Sequence, residues 1–161
     1  MTPDLRSTRM SRVRQHDEKA VTTMAQRVTV PGLFPPPDYA HAAVVEAGER
    51  LVFTAGAVPL DAEGNLVGEG DIAAQARQVI ANLEQALRAV GSDLTRVVAT
   101  TVYVVGPELD VWEVVRSSGL AVGPHTSTLL GVSWLGYPGQ LVEITAVAVV
   151  PETAATEPER P

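Results

Sequence analysis

Between Asp71 and Val90 the apolar residues return at helical spacing. Ile72, Ala76, Val79, Ile80, Leu83, Leu87 and Val90 form one stripe. Asp71 is placed to cap the first turn, and Gly91 to end the helix in a left-handed conformation. Gln75, Gln78, Glu84 and Arg88 alternate with the stripe and are assigned to a wet opposite face. A helix apolar on one side needs a surface to lie on, and the rest of the chain offers strands.

Arg27 to Val30 reads as a brief strand closed by Pro31-Gly32, and Pro35-Pro36-Pro37 stiffens the connection after it. Ala40–Ala47 and Leu51–Thr54 read as two strands, with Gly48-Glu49-Arg50 as the turn of a hairpin. A loop follows, with Asp61 to Asn65 supplying turn residues. Beyond the long helix, Val97–Val105 is a β-branched strand, and Leu109–Ser117 is a short helix between Pro107 and Gly119. Ser127–Trp134 and Leu141–Val150 close the series as strands, separated by Gly136-Tyr137-Pro138-Gly139. This order predicts an α+β fold, a mixed sheet with both helices on one face. Covered on one face only, such a sheet is expected to bury the other by association.

The two ends lack this patterning. Residues 1–26 carry no apolar period and read as a disordered basic arm; 151–161 is an acidic, proline-rich stretch expected to fray; the folded domain is 27–150. Residues 1–27 hold six basic and three acidic groups, whereas the remainder holds six basic and sixteen acidic, a balance of −10 within a net charge of −7. A body that acidic repels phosphate backbones, so nucleic acid is an unlikely partner. With 45% hydrophobic and 19% charged residues the composition is that of a globular domain. The absence of cysteine excludes a thiol nucleophile, a disulfide framework and a sulfur-bound zinc site. No apolar run approaches a membrane span or the core of a signal peptide, so no membrane association and a cytoplasmic location are expected.

Several short pieces stand in a telling order: Tyr39; Leu51-Val52-Phe53-Thr54-Ala55-Gly56; Gln75-Ala76-Arg77-Gln78 with Asn82-Leu83; Thr100 to Val104; Ser127 to Val132; and Leu141-Val142-Glu143-Ile144. From Tyr39 to Val150 the chain resembles the Rid family of reactive imine and enamine deaminases. The resemblance implies a chorismate-mutase-like fold, a homotrimer built around a central barrel of sheets, and small-molecule pockets between subunits. It implies hydrolysis of enamines and imines to a keto acid and ammonia without a cofactor. A protonated imine is already electrophilic, so the protein need only fix the substrate and place a water.

The resemblance makes Glu143 the catalytic candidate, as the holder of the hydrolytic water, and Tyr39 a ring bordering the pocket. It is the one charge between Leu141 and Val150, so a partner or a raised pKa is expected; a structural acid is the competing reading. Ser127 and Thr128 are candidate hydroxyl donors to a ligand, and Gly56 permits close backbone approach. Archetypal members carry a carboxylate-binding arginine where this chain has Ser127, and the run Pro124 to Thr128 contains no arginine. A serine offers one neutral hydrogen bond in place of a charged fork. The expected reaction is therefore hydrolysis of an imine, enamine or related small metabolite other than the archetypal 2-imino acids. A non-catalytic trimer that binds a small metabolite is the alternative. His16, His41 and His125 share no metal spacing, so no metal is expected; His125, near the pocket, is a candidate base or a surface loop residue. Trp112 and Trp134 are assigned to the core or to subunit contacts.

Overall fold

The computed structural model describes residues 25–36, 38–106, 110–123 and 125–152. The expected arm, but for its last two residues, and most of the expected tail lie outside these. The elements run β1 (Ala25–Val28), β2 (Ala42–Val45), β3 (Arg50–Phe53), α1 (Ile72–Ala89), β4 (Val97–Val105), α2 (Val111–Arg116), β5 (Thr126–Val132) and β6 (Val142–Val150). β1 starts at Ala25, inside the stretch expected to be disordered, because it pairs antiparallel with β2 along its whole length.

The main sheet has the order β3-β6-β4-β5, antiparallel except for the β4/β5 pair, which α2 connects. The α+β class, the mixed sheet and the two helices on one face are as the pattern predicts. Val142, Ile144, Ala146 and Ala148 of β6 share a buried core with Val79, Leu83 and Leu87 of α1 and with Val111, Val114 and Val115 of α2. A bulge at Val97–Ala99 shifts the register of β4 against β6. It lets Val97 join the same core as Val102 and Val104 despite its odd number, while Val98 packs on the other side with Val149 and Ala25.

One expected pairing is absent. β2 and β3 do not form a hairpin: β2 belongs with β1, and β3 lies on the edge of β6. The connection after β2 bends in a β-turn closed by the Glu49 N–H to Glu46 carbonyl bond, with Gly48 third at φ +94°, and the two strands it joins run on to different partners.

α1 is capped as its sequence demands. The Asp71 carboxylate accepts the Ala74 N–H at 2.9 Å. Gly91 takes φ +81°, and the Ser92 N–H reaches back to the Leu87 carbonyl at 2.9 Å, a Schellman ending. Its polar flank differs from expectation. Gln75 is 0% exposed, not wet. Its Nε2 donates to the carbonyls of Gly68 and Gly139, at 3.1 and 2.9 Å, and its Oε1 accepts the Leu141 N–H at 2.8 Å. Next along the same flank, the Asn82 amide donates to the carbonyls of Val58 and Leu60, both at 2.8 Å. The helix flank that looks hydrophilic in sequence is covered by the chain between β3 and α1 and serves that chain's backbone.

His125, read as a candidate base or surface residue, is instead 1% exposed. Its carbonyl accepts the Ala40 N–H at 2.9 Å, tying the segment before β2 to the start of β5. Neither ring nitrogen has a hydrogen-bond partner among the described residues. Burial pushes the imidazole pKa below the ordinary histidine value; the Gly123 backbone and Asp38 favour the charged ring, Arg27 disfavours it, and burial prevails. His41, by contrast, uses both nitrogens: Nδ1 accepts from the Val30 N–H and Nε2 donates to the Phe34 carbonyl, each at 2.9 Å.

Two outcomes are expected. Gln75→Met takes the partner from the Leu141 N–H and the Gly139 carbonyl, while the Gly68 carbonyl keeps the Asp71 N–H. At about 1–3 kcal/mol for a buried group left unpaired, and less for the solvent-accessible Gly139 carbonyl, the loss should reach about 2 kcal/mol, read as a lower urea midpoint. For His125, the unfolded chain takes up the proton first as pH falls below about 6.5. Its contribution to stability is therefore complete above that pH and is lost on acidification toward the lower folded pKa, by at most about 1.4 kcal/mol per pH unit. Urea midpoints between pH 7.5 and 5.5 should fall for the natural chain, and His125→Phe should flatten that slope.

Candidate functional site

Alternation along β6 sends Val142, Ile144 and Ala146 under the helices and Glu143, Thr145 and Val147 to the opposite face. The β1/β2 ribbon covers one end of that second face, where Ala25, Ala43 and Val45 pack with Val98, Val147 and Val149. Glu143 stands at the other end, half-buried.

The register arranges this face in rows. Glu143 lies beside Tyr103, with Leu130 next in line on β5; Thr145 lies beside Thr101 and Thr128; Phe53 and Val147 lie beside Ala99 and Thr126. Apolar side chains here are bare: Phe53 is 74% exposed, and Trp134, just past β5, is 77% exposed. Trp134 is therefore not a core residue of the single chain, whereas Trp112 packs against the core.

The Glu143 carboxylate is held from two sides. Gln140 Nε2 donates to Glu143 Oε2 at 3.1 Å. The other oxygen lies over Gly56, where a Cβ would stand 1.8 Å from Oε1 and 2.5 Å from Cδ. Gly56 is thus required by close approach, since any side chain would displace the acid. A backbone bridge between Ala57 and Ile144, with N···O distances of 2.8 and 3.2 Å, fixes that approach. Of the candidates read from sequence, Glu143 and Gly56 are brought together.

The others fall elsewhere. Ser127 pairs with Thr100, not with Glu143's row, and the Thr100 hydroxyl donates to the Ser127 hydroxyl at 2.8 Å. Thr100 is buried opposite Ala146, on the helix side of the sheet. Ser127 therefore points to the face away from Glu143, and strand parity keeps it from this acid within one chain. At the start of β5 the residue on Glu143's face is Thr126, which sequence reading passed over. Thr128 shares that face, but it lies two strands across from β6, about 10 Å away by strand spacing alone.

Tyr39 stacks on Trp112 of α2, ring centroids 6.1 Å apart, and its neighbour Asp38 pairs with Arg116 at 2.6 Å. It is thus anchored near α2, by His125 at the head of β5, while Glu143 sits opposite Tyr103 toward the far end of β4. Tyr39 and Glu143 meet only if another copy contributes one of them. The residue at this candidate site that the sequence did not single out is Gln140, whose signal was its place directly after Pro138-Gly139 and three residues before the acid.

No helix among the described residues is long and apolar enough to cross a membrane. Residues 35–150 match the family model described as Endoribonuclease L-PSP. Protein DfrA of Myxococcus xanthus is 36% identical over 113 residues, 69% of this chain and 84% of that protein. A RutC family protein of Pyrococcus abyssi is 34% identical over 80 residues, 50% of this chain and 62% of that one. The crystal structure of YyfB, a Rid family protein of unknown function from Yersinia pestis, superposes with a TM-score of 0.72 at 31% identity. That likeness covers 79% of this chain and 99% of YyfB. The yeast protein YEO7 gives a TM-score of 0.59 at 26% identity over 79% of this chain and 99% of its own. With most of the folded chain inside the family model and a fold that superposes on a solved Rid family protein, the protein belongs to the Rid (YjgF) family, the family described as Endoribonuclease L-PSP.

Proposed function

We propose that this chain is a cofactor-independent hydrolase of a reactive imine, enamine or related small metabolite, working as a cytoplasmic homotrimer with its pocket between subunits. The observation that carries this reading is the Glu143 carboxylate, held by Gln140 above a glycine on a sheet face rich in bare apolar side chains. A carboxylate so placed can accept a proton from water as the water's oxygen bonds to the imine carbon. The proton passes to nitrogen, the C–N bond breaks, and a carbonyl product and ammonia leave. No external oxidant, reductant or cofactor is needed for that balance.

Assembly supports the reading from a second side. Phe53, Leu130 and Trp134 expose apolar surface around the acid's face, and a neighbouring copy that covered it would exclude water from the carboxylate. A second copy would also supply the Tyr39 and Thr128 that one chain holds away from Glu143.

The run Pro124 to Thr128 has no arginine, and Arg116 is committed to Asp38. Neutral hydroxyls recognise a carboxylate less well than a guanidinium fork, so 2-imino acids are poor substrates in this reading. This same observation favours the second reading, a trimer that binds a small metabolite without turning it over. The family's description names an endoribonuclease; a body with sixteen acidic and six basic groups beyond residue 27 argues against RNA as the ligand here.

The test is ammonia release from imines generated in place by an amino-acid oxidase, across many amino acids. The hydrolase reading expects acceleration with some imines, weak with iminoalanine-type compounds, and a fall of about 10²-fold or more in Glu143→Gln. No acceleration with any imine, together with saturable metabolite binding, would select the binding reading. Thr126→Arg, on Glu143's face, is expected to raise activity toward 2-imino acids. Ser127→Arg, directed at buried Thr100, is expected to lower the melting temperature instead. Sedimentation of a lone monomer at micromolar concentration would remove the intersubunit pocket.

A further inference from the structure

The two oxygens of Glu143 are not equivalent, and the asymmetry originates three to six residues upstream of it. Tyr137-Pro138-Gly139-Gln140 is a β-turn closed by the Gln140 N–H to the Tyr137 carbonyl at 3.1 Å, with proline second and Gly139 third at φ +76°. These are the requirements of a type II turn. The turn is pinned from outside by Gln75, which bonds the Gly139 carbonyl and the Leu141 N–H on either side of Gln140.

Gln140 is 4% exposed, and its amide is used at both ends. Oε1 accepts the Tyr137 N–H at 3.1 Å. Nε2 donates to the Val142 carbonyl at 3.2 Å and to Glu143 Oε2 at 3.1 Å. Rotating this amide by half a turn would set its NH2 against a backbone N–H and its oxygen against a carboxylate. Both contacts would then be repulsive, so one orientation is enforced. A buried glutamine locked by its own turn thus grips one carboxylate oxygen and leaves the other, Oε1, lying over Gly56.

We propose that Gln140 is a positioning residue that commits the Glu143 carboxylate to a single working oxygen, with Oε2 anchored and Oε1 presented to water and substrate. The inference rests on the hydrolase reading for its consequence in turnover, but the anchoring contact itself can be observed without any substrate. Gly56 and Gln140 act as a pair: one removes steric bulk beneath Oε1, the other removes Oε2 from competition. A group that holds the base without touching substrate affects the orientation of the attacking water more than ground-state binding.

The test uses the full chain labelled with nitrogen-15. The Gln140 side-chain amide should show one proton shifted downfield and slow to exchange, and Glu143→Gln should move that resonance and speed its exchange. In the imine assay, Gln140→Met should lower kcat about tenfold or more with KM changed less than about threefold. Gln140→Glu keeps the acceptor for Tyr137 but places an anion against Oε2; it should lower kcat at least as far, and serves as the second variant should Gln140→Met melt early. An amide resonance indifferent to Glu143→Gln would overturn the anchoring role while leaving the hydrolase reading standing. Full kcat in a folded Gln140 variant would overturn it as well. Full activity in Glu143→Gln, with the amide contact still visible, would instead sink the hydrolase reading, and the proposed consequence in turnover with it.

Discussion

One buried carboxamide joins the parts of this fold that have no other reason to meet. Gln75 projects from the first turn of α1 and satisfies the Gly68 carbonyl before the helix and the Gly139 carbonyl and Leu141 N–H before β6. The Gly139 carbonyl and the Leu141 N–H sit in irregular chain, where no ladder or helix offers a partner, while the Gly68 carbonyl also takes the Asp71 N–H at 3.0 Å. Only a side chain with donors and an acceptor on one planar group can serve them together, which leaves glutamine and few alternatives. The helix thereby fixes where β6 begins, and with it which residues of β6 face the helices.

That choice of face has a chemical result. With Val142 and Ile144 committed to the core, the intervening Glu143 must emerge on the other side. A slip of one residue would drive a carboxylate into an apolar layer and expose the valine and isoleucine. The cost of burying the charge alone would be several kcal/mol. Register at the start of β6 is therefore settled by hydrophobic burial and by the Gln75 clamp in concert. The position of the candidate acid is a consequence of both, and the turn that carries Gln140 hangs from the same clamp.

Much of this was legible in the chain. The stripe from Ile72 to Leu87, the cap at Asp71 and the stop at Gly91 place α1 to within a residue of its observed bounds. The run Val97–Val105 is a strand over its full length. Burial on one face of a helix or strand imposes a period, and a period survives in sequence. What does not survive is the partner of a polar residue. Gln75 looked wet because glutamine usually is, and nothing local reveals that the chain between β3 and α1 folds back over it. His125 looked like a loop residue for the same reason. The β2/β3 hairpin failed because turn chemistry shows where a chain bends, not which edge its next strand will find; β6 offered β3 a longer and more apolar one.

The site shows the same division. The place of Glu143 on the open face follows from alternation along β6 alone. Which face Ser127 takes depends on the parity of β5 relative to β4, and the β4/β5 pair is parallel, so no hairpin turn links their registers. Its partner Thr100 sits on the helix side, and Ser127 follows it there. In a row of alternating threonine and serine hydroxyls the neighbours look interchangeable in sequence, yet Thr126 and Thr128 face the acid's side while Ser127 cannot. The physical content of a missing arginine therefore depends on one residue of offset. On the open face its absence removes a charged anchor for the ligand. On the helix face it means only that no charge was ever admitted to a packed layer.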